Sequence, residues 1–238
     1  MNVLGLIPAR CGSKGIPSKN IVSCAGLPLL EWTARAVHGS SCISRCILSS
    51  DCEEIQSVAK DCGIEVPFVR PSEISQDMTP ALPVIKHAIT WMEQYASYTP
   101  DVIVLLQPTS PLRLSRHIDE AVELLLSSPD ADSVVSVVEV PHQYAPASVM
   151  VLEGGVLRSW MEQKEDKNLR QLKPKFWARN GAAIYAFRRS CLFNKGSIYG
   201  DVCLPYFMSP EESVDVDTYF DLKVCEMLLA ERLEGTSA

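Results

Sequence analysis

The sequence predicts an α/β domain: a mostly parallel sheet with helices on both faces. Three observations carry this. Short apolar runs rich in β-branched residues alternate with amphipathic helical stretches, polar Gly- and Pro-containing loops follow the runs, and 238 residues suffice for one such domain with a small appendage. In this reading residues 1–140 and 179–238 form the domain, and 141–178 form an inserted arm.

The first run, Val3 to Ile7, ends at Pro8 and reads as a buried strand delivering its carboxyl end into a loop. Pro28 then opens a helix carrying Leu29, Leu30, Trp32, Ala36 and Val37. Cys46 to Leu48 is the next strand, and Ile55, Val58 and Ala59 lie on a helix stopped by Gly63. The rhythm continues with a strand at Val66 to Val69, a helix over Ala81 to Tyr95, and the strongest strand, Val102 to Leu106. A helix over Ile118 to Leu126 and a strand over Ser133 to Val138 follow. Between 141 and 178 charged stretches such as Glu162 to Lys167 separate short apolar runs, with Gly154-Gly155 as a hairpin turn. Strand character returns at Ala182 to Phe187, and Tyr219 to Leu233 is a closing helix. Ligands of such sheets bind at the carboxyl ends of the strands.

Composition narrows the function classes. No apolar run reaches the roughly 18 to 20 residues of a membrane span, and the N-terminus lacks the basic region and cleavage site of a signal peptide, so a cytoplasmic protein without membrane contact is expected. Nine cysteines without a Cys-x-x-Cys pair argue for free thiols. A net charge of −7 argues against nucleic acid as a partner. Yet residues 1–30 hold no Asp or Glu, where about four would be expected pro rata. An acidic chain has kept this segment positive.

The segment contains Ile7-Pro-Ala-Arg-Cys-Gly-Ser-Lys-Gly-Ile-Pro-Ser-Lys-Asn20, between the first strand and the first helix. Gly12 and Gly15 let backbone N–H groups approach a polyphosphate, and Arg10, Lys14 and Lys19 supply charge-assisted contacts to its oxygens. The glycine spacing fits neither a Walker A loop nor a Gly-x-Gly-x-x-Gly turn. After the strongest strand, Gln107 and Thr109 offer uncharged groups suited to sugar hydroxyls, held by prolines; Arg113 reads as structural. Asp215 and Asp217 are two apart in a β-branched segment, so an extended backbone points both to one face. Such a pair suits a hard cation, Mg²⁺ or Mn²⁺, and Asp217 alternatively reads as the N-cap of the last helix. The four histidines lack paired spacing and the four tryptophans read as core or interface.

Three ordered blocks, Ile7 to Asn20, Leu106-Gln-Pro-Thr-Ser-Pro-Leu-Arg113 and Ser213-Val-Asp-Val-Asp-Thr218, resemble the signature of the acylneuraminate cytidylyltransferases, the CMP-sialic acid synthetases. The resemblance implies a Rossmann-like nucleotidyltransferase fold with a small dimerisation arm, a homodimer, and transfer of CMP from CTP to the anomeric hydroxyl of a sialic-acid-like 2-keto sugar acid with release of pyrophosphate. It implies that Arg10 and Lys19 bind the phosphates of CTP and act in catalysis. Ser13 and Gly15 add backbone contacts, Asn20 reaches cytosine or ribose, and Arg70 helps read the base. It assigns Gln107 and Thr109 to the sugar, and Asp215 and Asp217 to the metal. The attacking hydroxyl loses its proton to Asp217 or, preferred, to a water at the cation. Arg179-Asn-Gly-Ala-Ala-Ile-Tyr185 resembles a further family block with one residue moved across the Asn-Gly pair, which places Tyr185 in the sugar pocket. The chain departs from the family at Pro141-His-Gln-Tyr-Ala-Pro-Ala147, where neuraminate-specific members carry a lysine that meets the sugar's carboxylate region. That leaves legionaminate, a deaminated nonulosonate, an octulosonate or a phosphonate as alternative acceptors, and a non-catalytic nucleotide-binding protein as the alternative from another class.

Overall fold

The structure, a computed structural model, describes residues 1–13, 15–161, 174–181 and 183–235. In chain order the strands are β1 (Val3–Pro8), β2 (Ser23–Cys24), β3 (Leu27–Pro28), β4 (Arg45–Ser49), β5 (Val102–Leu105), β6 (Ser133–Glu139), β7 (Met150–Glu153), β8 (Val156–Ser159), β9 (Trp177–Arg179), β10 (Tyr185–Arg188) and β11 (Cys203–Phe207). The helices are α1 (Leu29–His38), α2 (Glu53–Asp61), α3 (Ala81–Tyr95), α4 (Ser115–Ser127), α5 (Arg189–Asn194) and α6 (Tyr219–Gly235).

The main sheet runs β11-β6-β10-β5-β1-β4, with β9 continuing the β10 edge of β6. β4, β1 and β5 are parallel, as are β6 and β11, and β10 is antiparallel to both β5 and β6. The predicted mostly parallel sheet is present, with β10 inverted near its centre and β9 inverted in line with it. Helices cover both faces because side chains alternate along each strand. Val3 and Ile7 pack with Leu30, Ile55 and Ile118 from α1, α2 and α4 on one side. Leu4 and Leu6 pack with Ile85, Ile89 and Leu192 from α3 and α5 on the other. A third cluster docks Leu222, Cys225 and Leu229 of α6 on Ile16, Leu29 and Trp32, so the C-terminal helix closes over the segment that follows β1.

The strand expected at Val66 to Val69 is not formed. Pairing ends at an isolated bridge between Ile47 and Glu65, because Pro67 has no N–H to continue it and the chain leaves the sheet toward Arg70. The expected N-cap is also displaced by one residue. The Asp221 N–H donates to Thr218 Oγ1 (3.3 Å) and the Thr218 N–H donates to Asp221 Oδ2 (2.7 Å), a reciprocal cap that leaves the Asp217 side chain uninvolved. β7 and β8 form the hairpin expected around Gly154-Gly155 and stand as a separate two-stranded sheet. Glu162 to Lys167 and Ala182 lie outside the described residues.

Candidate active site

The chain runs from β1 out to β4 on one side and returns to β5 on the other, so the crevice above the carboxyl ends of β1 and β5 is a topological switch point. A cleft of about 450 Å³ opens there. Arg10, Ser13, Gly15, Lys19 and Asn20 from the loop after β1, Arg70, Gln107 and Thr109 after β5, and Asp217 before α6 all line it. Lys14 lies outside the described residues.

The loop is fixed from three sides. The Ala9 N–H donates to Ser49 O (3.0 Å), and the Cys11 N–H donates to Asp51 Oδ1 (3.1 Å), which ties the loop to the end of β4. The buried Asn20 amide donates to Arg10 O (3.2 Å) and closes the loop on itself. Gly15 lies against the backbone carbonyl of Asp217; a Cβ there would sit 2.6 Å from that oxygen, so no larger residue fits.

Charge is distributed to suit an anion. Arg10 pairs with Asp77 at 2.6 Å and Lys19 with Asp217 at 2.7 Å. Arg70 is only 5% exposed; among the described residues its one carboxylate partner, Asp51, is at 3.3 Å, and its Nε has no acceptor. Burial pushes the Arg70 guanidinium down, with Asp51 opposing. A buried cation with an unused donor is satisfied by a ligand oxygen.

Across the cleft, Gln107 and Thr109 sit on a turn braced from beneath by Arg113. That side chain is buried and donates to Gln107 O (3.0 and 3.1 Å), Ala183 O (2.8 Å) and Thr33 Oγ1 (2.6 Å). Burial brings its guanidinium down to about 9, still charged at neutral pH. Arg113 is structural, as expected.

Asp215 and Asp217 flank Val216, which is fully buried and donates its N–H to Thr109 O (2.8 Å). Asp217 is 71% exposed; Asp215 is half-buried and lies against Gly181, where a Cβ would meet its Cγ at 2.1 Å. Burial raises the Asp215 carboxyl above its usual range; the Thr109 hydroxyl lowers it, and the Asp217 charge raises it further. Asp215 Oδ1 is buried without a partner among the described residues. Among the described residues no three His, Cys, Asp or Glu side chains converge as a complete metal cage. An orphaned carboxylate oxygen beside a second carboxylate does fit Mg²⁺, which binds through one or two carboxylates and completes its shell with water and substrate phosphate.

Tyr185 does not line the cleft. It is 8% exposed within the core under α3 and α5, packs edge-on against Tyr199, and burial raises its hydroxyl to about 12. Sequence reasoning also passed over Asp51, which holds both Cys11 and Arg70, and Thr79, Ala81, Val84 and Ile85, which wall the cleft at the start of α3. Asp51 had a legible signal, since Ser49-Ser50-Asp51 ends an apolar run as the phosphate loop does.

A family model described as cytidylyltransferase matches residues 4–193. The chain belongs to the cytidylyltransferase family. Membership makes it a CTP-dependent nucleotidyltransferase. It is 30% identical to the CMP-N,N'-diacetyllegionaminic acid synthase of Legionella pneumophila, over 96% of this chain and 97% of that protein. It is 29% identical to the post-translational flagellin modification protein B of Campylobacter coli, over 97% and 96%. It is 31% identical to the N-acylneuraminate cytidylyltransferase of Escherichia coli O18:K1:H7 over 93% of this chain, but spans 51% of that longer protein. Among solved structures, a CMP:2-keto-3-deoxy-manno-octonic acid synthetase complexed with CTP superposes with a TM-score of 0.72 over 98% of this chain and all of that one, at 16% identity. That likeness speaks for the fold. No helix among the described residues is long and apolar enough to cross a membrane.

Proposed function

We propose that the cleft binds CTP along Arg10 to Asn20 and transfers its CMP portion to the anomeric hydroxyl of a nonulosonate, a sialic-acid-like 2-keto sugar acid, releasing pyrophosphate. The observation that carries this is the convergence of Arg10, Lys19 and the under-partnered Arg70 on one side of the cleft with the uncharged Gln107 and Thr109 on the other. The first group suits phosphates and base, the second a polyol. The legionaminic and neuraminic acids in the names of the relatives supply the acceptor class.

In this reaction the sugar hydroxyl attacks the α-phosphorus in line, and catalysis is positioning plus neutralisation of charge on the phosphates. Arg10 and Lys19 face those oxygens, and the Gly15 backbone permits their approach. Asp215 and Asp217 would hold Mg²⁺ or Mn²⁺, which when bound supplies further positive charge to the phosphates. Lys19 and Asp217 neutralise each other until CTP and the cation arrive. Asp217, exposed to the cleft, takes the proton of the attacking hydroxyl directly or through a water.

We assign residues 141–178 as an arm that completes a homodimer in the cytoplasm. Met150, Leu152, Val156, Leu157 and Trp160 on and beside the β7–β8 hairpin are exposed, an apolar surface of the kind that partners cover.

Pyrophosphate release with CTP, Mg²⁺ and a panel of 2-keto sugar acids tests the reading. Turnover with a nonulosonate is expected, with Asp217→Asn losing turnover while retaining CTP binding. Release with an octulosonate alone, or full activity in Asp217→Asn, would contradict it.

A further inference from the structure

Cys11 and Cys52 carry chemistry that the transfer reaction does not use. The parallel register ends at Pro8 and Ser49, and continued for three residues it sets Cys11 against Cys52 beyond the strand ends. The two segments stay joined past the sheet through the bonds from Ala9 to Ser49 and from Cys11 to Asp51. Neighbouring strands run about 4.8 Å apart, inside the roughly 4.4–6.8 Å between Cα atoms that a disulfide spans. The electrostatics agree with this placement, the Cys52 thiol being the largest influence raising the Cys11 thiol above its ordinary range. Both are reduced; Cys11 is exposed and Cys52 half-buried.

The pair sits between the two arginines of the cleft. Arg10 donates from Nη1 to Cys11 O (3.3 Å), and Asp51, adjacent to Cys52, accepts from both the Cys11 N–H and Arg70. Whatever moves these cysteines moves Arg10 and Arg70.

We propose that Cys11 and Cys52 form a reversible thiol–disulfide switch on the nucleotide loop, closed by a small disulfide oxidant of the glutathione class. Cys11, reached first, attacks the oxidant as its thiolate, forming a mixed disulfide and releasing one thiol. Cys52 then gives up its proton and displaces the second thiol from Cys11. Two electrons and two protons pass from the pair to the oxidant, which leaves as two thiols, and a thiol reductant reverses both steps. The closed bond pulls the loop against the turn after β4 and displaces Arg10 from CTP.

The effect on CTP rests on the nucleotide reading of the cleft; the pairing does not. The experiment treats the full chain with oxidised glutathione, measures CTP binding, and maps tryptic peptides without reduction. Expected are the peptide of Cys11 to Lys14 joined through Cys52 to the peptide of Cys46 to Lys60, CTP binding weaker by on the order of tenfold or more, and recovery with dithiothreitol. Cys52→Ser, keeping its backbone N–H, should bind CTP as the reduced wild type does, before and after oxidant, and Cys11→Ser should bind CTP equally before and after oxidant. Absence of the linked peptide, or its presence with unchanged CTP binding, would overturn the switch. Failure of the reduced wild type to bind CTP would instead contradict the nucleotide reading, and the linked peptide would still decide the pairing.

Discussion

Two side chains, Arg70 in the cleft and Asp215 beside it, are held at an electrostatic cost, and each makes a distinct prediction. Arg70 is buried with one long ion pair and an unused Nε, so it awaits an acceptor. Arg70→Ala should raise the KM for CTP by roughly ten- to a hundredfold, the range for losing a charge-assisted hydrogen bond. Its kcat should move less, and Arg70→Lys, lacking the planar fork, should restore only part. Asp215 is a carboxylate whose charge burial disfavours. Its folded-state pKa is raised, so the penalty is absent below the ordinary carboxylate range and complete above the raised value. At neutral pH and without divalent cation, Asp215→Asn should therefore raise Tm, by about 2–4 °C for each kcal/mol relieved in a chain of this size. The same variant should lose Mg²⁺-dependent turnover. A fall in Tm in the cation-free protein would contradict the account of an uncompensated charge.

At the level of elements, Asp119 is the clearest fastening outside the cleft. It reaches from α4 to the turn between α1 and β4, accepting from the Ser40 hydroxyl (2.6 Å), the Ser41 N–H and hydroxyl, and the Cys42 N–H. Burial alone would raise its carboxyl, but these donors outweigh it and bring it down to about 2. A depressed carboxylate stabilises fully above the unfolded value near 3.9 and loses that contribution as pH falls through about 2. Asp119→Ala should cost about 1–2 kcal/mol at pH 7, discounted for its partial exposure, and the gap to wild type should close in acid. Urea melts at pH 7 and pH 2.5 measure both. Elements such as α1, α3 and β5 were legible because a local period of apolar residues suffices to specify them. β11 was not, because Pro205 interrupts its pattern; the strand is an edge, where a missing N–H need not break a ladder. The reversal of β10 was equally hidden, since strand direction leaves no mark on side-chain alternation. Of the site, the residues in contiguous blocks, Arg10 to Asn20 and Gln107 to Thr109, were found together. Tyr185 pairs with Leu105, which lines the cleft, but its own ring is taken up by the core and by Tyr199, a tertiary contact that leaves no mark in the local sequence.

For the whole molecule, the exposed apolar side chains of the β7–β8 hairpin form the surface assigned to self-association. Light scattering should give a dimer, and Leu157→Asp should shift it toward monomer; a monomeric wild type would contradict the assignment. The contact of Lys19 with Asp217 joins positions 198 residues apart, and that of Gly15 with Asp217 slightly more. A ribosome adding roughly 5–20 residues per second takes on the order of ten to forty seconds to bridge that separation. The phosphate loop therefore emerges early and waits, cationic and without its acidic counterpart, until the last helix is made. Catalytic competence waits for α6, and any chain cut short before that helix would carry the nucleotide loop without the wall that closes it.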